Sequence, residues 1–231
     1  MSFDSRSVVV TGGTGALGRA VCKAFLERGA DVFSSNLLER EVKSLDGALR
    51  DHPKFHLQRV DLTSEEEVAA WFASLGRLDV LVNVAGGFAM GTVAETAYGD
   101  WRFQQEMNLN TVFLTSRAAL ACMNPETGGR IINIAAYAAT KKIGGMAAYT
   151  VSKAGVIHFT EALAEETLET KITVNALLPT IMDTPANRSA MPDADWKKWV
   201  PLETVAATIL FLAGEEAWPI TGACIPLRGH S

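Results

Sequence analysis

Short runs of β-branched and other apolar residues alternate along this chain with longer stretches whose apolar positions recur at helical spacing. The strand-like runs are Val8-Val9-Val10, Asp31 to Ser35 ending at Asn36, Phe55 to Val60, Leu78 to Val84, Arg130 to Ala135, Ile172 to Leu178 ending at Pro179, and Ala223 to Leu227. Between them the spacing predicts helices reaching Gly29, following Thr63, over Asp100 to Met123, from Tyr149 to about Glu169, and over Leu202 to Ala213. In the Tyr149 helix, Val156, Phe159 and Leu163 form the apolar stripe. Thr63 and Glu66 have the spacing of a capping box. Strand and helix in alternation is the mark of βαβ units on a parallel sheet. The segment from Thr180 to Val200 follows neither period and is rich in Pro, Asp, Met and Trp. Long unpatterned segments in α/β domains are commonly lids or substrate loops. No repeat, low-complexity tract or linker breaks the pattern, so residues 1–231 read as one domain.

Composition narrows the partners. The chain is 48% hydrophobic and 20% charged with a net charge of −5, which argues against nucleic acid or an anionic membrane as the main partner. No apolar run is long enough for a membrane span. Met1 to Ser7 lacks a basic region followed by an apolar core, so no secretory signal is expected and a cytoplasmic location is. Cys22, Cys122 and Cys224 are odd in number and far apart, as small buried hydrophobes in a reducing compartment are. His52, His56, His158 and His230 show no metal-ligand spacing with cysteine, so no metal is expected.

The chemistry begins directly after the first strand, at Thr11-Gly12-Gly13-Thr14-Gly15-Ala16-Leu17-Gly18. Strand, glycine turn and helix are the context that a dinucleotide fingerprint requires, because a pyrophosphate rests on N–H groups at the helix start. The expected fold is therefore a single-domain Rossmann fold, a doubly wound parallel sheet of about seven strands with helices on both faces. Candidate cofactor contacts in the turn are Gly12, Thr14, Gly15, Ala16, Leu17 and Gly18. A carboxylate at the end of the second strand would favour a ribose 2′-hydroxyl, and an arginine a 2′-phosphate. Asn36 is neither; Arg40 lies slightly far on, and Arg19 is the other possible phosphate partner, so NAD and NADP both stay open. Asp61, with Leu62, can meet the adenine amino group or simply build a strand-end turn. Ala85, Gly86 and Gly87 are small residues where backbone and ligand can pass closely.

Tyr149 and Lys153 fall one helical turn apart on one face. An ammonium beside a phenol favours the phenolate, so the Tyr149 pKa is expected below its usual value of about 10. Such a tyrosine serves as proton donor or acceptor near neutral pH. Asn108, in the interior of the long helix, can bond a water through its backbone or side chain.

In order along the chain, these pieces resemble the short-chain dehydrogenase/reductase family. The resemblance rests on Thr11 to Gly18, Asp61, Asn83-Val84-Ala85-Gly86, Asn108, Tyr149 with Lys153, and Pro179 followed by Thr184. It implies an NAD(P)-dependent oxidoreductase. Tyr149 is then the acid/base, and Lys153 lowers its pKa and binds the nicotinamide ribose. Asn108 holds a proton-relay water, Thr184 holds the carboxamide, and the protein is a homodimer or homotetramer. The departures are Ala16 and Thr180 where the pattern has glycine, Val84 for a second asparagine, and Ala136 for the serine thirteen residues before the tyrosine. That serine polarises a substrate carbonyl, and losing one such donor costs about 10²–10³ in rate. Tyr137 and Thr140 are the candidate replacements.

The dihydropteridine reductase branch looks closer still. It has alanine at this position and a similar Gly-Gly-x-Gly-Ala-Leu-Gly turn. It also shares a Val-Ala-Gly-Gly-aromatic turn like Val84 to Phe88, and a loop like Asp183 to Asp195 continuing through Trp199 to Glu203. A quinonoid dihydropterin takes up hydride and a proton on a conjugated ring, so the absent serine is no handicap. Against this branch, it carries aspartate at Asn36, and Ile172 to Leu178 looks like the ordinary reductases. The alternatives are a carbonyl or alcohol substrate, or a non-catalytic dinucleotide binder.

Overall fold

A computed structural model describes residues 1–37 and 39–230. Its strands are β1 (Ser7–Thr11), β2 (Asp31–Asn36), β3 (Phe55–Arg59), β4 (Val80–Asn83), β5 (Gly129–Ile134), β6 (Ile172–Pro179) and β7 (Cys224–Leu227). They form one sheet in the order β3-β2-β1-β4-β5-β6-β7, with every pairing parallel. The helices are α1 (Ala16–Leu26), α2 (Glu39–Lys43), α3 (Gly47–Arg50), α4 (Glu65–Leu75), α5 (Tyr98–Gln105), α6 (Thr111–Cys122), α7 (Ala147–Glu166), α8 (Pro185–Ala190) and α9 (Leu202–Ala213).

The strands are apolar on both faces because both faces are covered. Val8 and Val10 of β1 join a core with Val21 and Phe25 of α1 and Ile209 and Leu212 of α9. Val9 between them points the other way, into a core with Trp71 and Phe72 of α4 and Leu163 of α7. The strand order reverses between β1 and β4, and this opens a crevice at their carboxyl ends.

Three local expectations shift. The Asp100–Met123 helix is α5 and α6 joined through a π turn over Glu106–Asn110, which widens the helix at Asn108. The cap of α4 is Ser64, whose Oγ accepts from Glu67 N at 3.3 Å, rather than Thr63. Thr63 is already occupied, since its N–H and hydroxyl both donate to Asp61 Oδ1 at 2.9 and 2.7 Å. The segment after β6 is not structureless. It contains α8 and a 3-10 turn, and closes through Asp183 N to Val200 O and Val200 N to Ile181 O, both at 2.9 Å.

Among the described residues no helix is long and apolar enough to cross a membrane. Cys22, Cys122 and Cys224 are free thiols, with burial pushing the Cys22 pKa upward. No group of three or more His, Cys, Asp or Glu among the described residues could hold a metal ion.

Candidate active site

The glycine turn lies in the crevice, with β4 and β2 close on either side. Gly12 has φ +66°, and a Cβ there would come within 3.0 Å of Ala85 Cα. A Cβ at Gly18 would strike Gly12 O, and one at Gly13 would strike Ser34 Oγ. Thr11 Oγ1 accepts from Val84 N at 3.0 Å and Ala85 N at 3.1 Å, tying the end of β1 to the end of β4. From the other side, Ser34 Oγ accepts from Gly13 N at 3.0 Å and donates to Val10 O at 2.7 Å. Ser35 Oγ accepts from Gly12 N at 3.4 Å. Neither serine stands out in the sequence, because only the parallel register of β1 and β2, which pairs Val10 with Ser34, brings them to the turn.

Gly15 heads α1 with no side-chain cap, so that helix start keeps the free N–H character that suits an anion. Side-chain-free turn, uncapped helix and crevice together fit a dinucleotide. Bound there, the cofactor would supply the hydride; Gly12 to Gly18 and Ala85 to Gly87 are the residues that would hold it.

Other expected contacts turn out to have structural work. The Asp61 side chain builds the strand-end turn with Thr63, and its N–H donates to Glu67 Oε2 at 2.8 Å. Leu62 packs onto the α4-side core. Asn36 ends β2 opposite Arg59, and Pro179 ends β6 opposite Leu227. Thr184 caps α8, its Oγ1 accepting from Asn187 N at 3.1 Å. Arg19 is engaged by main-chain carbonyls. Its Nε donates to Thr14 O at 2.7 Å and its Nη1 to Ser44 O at 2.8 Å.

Lys153 and Asn108 meet at Gly86, and Tyr149 stands against Phe88 at the end of the same loop. Lys153 is 5% exposed and its Nζ donates to Ile134 O at 2.7 Å. Burial pushes its pKa down to about 8. The Tyr149 ring meets Phe88 edge-on, with centroids 4.9 Å apart. Burial pushes the Tyr149 pKa up to about 12, against the expected fall. The Lys153 ammonium is engaged by a carbonyl, and loss of solvent around the phenolate outweighs it.

Asn108 is fully buried in the π turn. Its Oδ1 accepts from Gly87 N at 2.8 Å, and its Nδ2 lies 3.0 Å from Gly87 O, 3.1 Å from Gln104 Oε1 and 3.1 Å from Ser152 Oγ. The side chain thus clamps the β4 loop. Ser152 Oγ donates to Tyr149 O, so the clamp reaches the tyrosine's own turn. A Cβ on Gly86 would come within 2.7 Å of Asn108 Oδ1 and 3.3 Å of Lys153 Nζ.

Beneath the site runs a buried polar ladder that fixes α6 and α7 to the sheet. Asn83 Nδ2 donates to Asn133 Oδ1 at 2.9 Å, Thr115 Oγ1 to Asn83 Oδ1 at 2.8 Å, and Asn133 Nδ2 to Thr160 Oγ1 at 2.9 Å. An asparagine inside an apolar strand was its sequence signal.

Ala136 and Ala135 are buried, 4% and 2% exposed, and bring no hydroxyl. Thr140 Oγ1 donates to Tyr137 O at 2.8 Å. The Tyr137 ring carries Lys141 Nζ at 4.5 Å and the Arg228 guanidinium at 4.9 Å. A hydrogen bond with Lys141, and then the charge of Arg228, draw its pKa down.

The model of the family described as short chain dehydrogenase matches residues 6–195. The 3-oxoacyl-[acyl-carrier-protein] reductase FabG of Salmonella typhimurium is 32% identical, covering 99% of this chain and 98% of its own. Dehydrogenase/reductase SDR family member 6 of Danio rerio is 30% identical over 98% and 97%. Among solved structures, an actinorhodin polyketide ketoreductase variant with NADPH superposes with a TM-score of 0.88 at 29% identity, covering 99% and 98%. A short-chain type dehydrogenase/reductase from Mycobacterium ulcerans shares the fold at a TM-score of 0.91, 24% identity and 100% and 90% coverage. A family match of that extent, on a crevice whose glycine turn fits a dinucleotide, makes this chain a member of the short-chain dehydrogenase family and an NAD(P)-dependent oxidoreductase.

Proposed function

We propose that the protein reduces a conjugated planar substrate such as a quinonoid dihydropterin, with Tyr149 donating the proton. Lys153 holds the nicotinamide ribose, and Asn108 positions the Gly86-Gly87 loop against both. Pro179 and Thr184 line the nicotinamide end, and the segment 180–200 covers the substrate. The observation that carries this reading is the buried Ala136. An isolated carbonyl gathers negative charge on one oxygen as hydride arrives, and the missing donor would cost about 10²–10³ in rate. A conjugated ring spreads that charge, so a neutral, high-pKa phenol suffices as proton source. The exposed Phe88 ring beside Tyr149 offers an apolar surface for a flat substrate.

A second reading, reduction of a carbonyl compound, draws support from the relatives, which include a 3-oxoacyl reductase and a polyketide ketoreductase. Turnover of quinonoid dihydropterin beside a panel of ketones separates the two, and activity confined to ketones overturns the first. Ala136→Ser sharpens the comparison: it should leave pterin turnover within about twofold, whereas a carbonyl enzyme would gain toward 10²-fold. Tyr149→Phe should lower kcat by about 10²–10⁴ while dinucleotide affinity survives. Unchanged turnover refutes the tyrosine's role, and tight cofactor binding without any turnover points to a binding protein instead. The assembly is proposed as a homodimer or homotetramer built on the faces of α5, α6 and α7.

A further inference from the structure

The choice between the two dinucleotides depends on what meets the adenosine ribose, and Asn36 at the end of β2 carries no charge there. We propose that Glu41, on the short helix α2, selects NAD(H). Held at the mouth of the glycine turn, its carboxylate accepts a hydrogen bond from a ribose 2′-hydroxyl and repels a 2′-phosphate. The inference rests on the glycine turn being the dinucleotide site.

Thr14 sits in that turn, 2% exposed, and its Oγ1 donates to Glu41 Oε2 at 2.7 Å. A carboxylate has about four acceptor positions, so one bond from Thr14 leaves capacity for a ribose hydroxyl. The glutamate is braced as well as tethered. Arg19 reaches from α1 to Thr14 O, to Ser44 O and, at 3.4 Å, to Glu41 O, which locks α2 against the turn. The same bonds aim the Arg19 guanidinium at main-chain carbonyls.

Of the other cations nearby, Lys23 is paired with Asp46 at 2.7 Å. Arg40, on the exposed side of α2, and Arg59, opposite Asn36 in the β2–β3 register, are the residues that would argue for the opposite preference. A carboxylate near the ribose is the ordinary device for NAD at a strand end. Here it comes from the following helix, five positions beyond Asn36.

The test is equilibrium binding of NADH and NADPH to the cofactor-free protein, followed by calorimetry or tryptophan quenching without any turnover. Wild type should bind NADH about tenfold or more tighter than NADPH, as a like charge facing the 2′-phosphate demands. Glu41→Gln keeps the partner of Thr14 but removes the charge, and should narrow that ratio at least fivefold, chiefly by tightening NADPH. Thr14→Val, which frees the carboxylate from its tether, should narrow it as well. Arg40→Ala should leave the preference for NADH in place. Equal or tighter NADPH binding by wild type, or a ratio unmoved in Glu41→Gln, overturns the assignment. Failure of wild type to bind either dinucleotide would instead sink the glycine-turn reading beneath it.

Discussion

Lys153 shows how far a single residue's chemistry departs from what its spacing suggests. Its neighbour Tyr149 was legible four positions away, but the direction of the tyrosine's shift was not. That direction depends on burial of the phenol, which segments remote in the chain contribute. The lysine's own shift has a testable sign. With a pKa lowered from 10.5 to about 8, Lys153 is charged in both folded and unfolded chains below pH 8, and there the folded state carries the full burial penalty. Between about pH 8 and 10.5 the folded lysine is neutral while the unfolded one still binds a proton, so stability rises with pH. A shift of that size corresponds to about 3 kcal/mol. Tyr149 acts oppositely, since a pKa raised from 10.0 to about 12 means its stabilisation is present below pH 10 and lost between 10 and 12. The stability of wild type relative to Lys153→Met should therefore climb from pH 8 to 10.5 in denaturant titrations. Parallel curves across that window would show that the ammonium is not desolvated.

At the scale of elements, the long helix before β5 was plain from its apolar period, and its break was not. A π turn depends on what the widened turn must reach, here Gly87 on one side and Ser152 on the other. The one-residue shift of the α4 cap has a similar origin, because Asp61 had already taken Thr63. These clamps make two outcomes distinct. Asn108→Ala strips partners from Gly87 and from the buried side chains of Gln104 and Ser152, and leaving buried polar groups unpaired should cost about 1–3 kcal/mol. A melting temperature unchanged within a degree would deny the clamp. Gly86→Ala should leave the core intact but push Asn108 and Lys153 apart, since its Cβ would lie 2.7 and 3.3 Å from their polar atoms. The expected readout is a fall in kcat with a smaller change in melting temperature. Equal activity would show that the loop has slack.

For the whole molecule, the alternation of runs disclosed the sheet but could not rank its strands, because pairings such as Val10 with Ser34 and Thr11 with Asn83 join distant segments. What places β1 between β2 and β4 is close approach: Gly12 against Ala85, and Gly13 against Ser34. Gly155 of α7 packs within its own chain, where a Cβ would meet Leu109 Cδ2 at 2.7 Å. The proposed assembly draws on the large side chains that α5, α6 and α7 leave exposed, Phe103 at 52%, Phe113 at 44% and Val151 at 48%. Apolar side chains exposed together on packed helices are the usual sign of a protein partner, and a second copy supplies the same surface by symmetry. Sedimentation of wild type should give at least a dimer, and Phe113→Asp with Val151→Lys should shift it toward the monomer while the circular dichroism stays the same. Wild type sedimenting as a single chain at micromolar concentration would remove these helices as an interface. A dimer indifferent to both substitutions would move the interface elsewhere on the molecule.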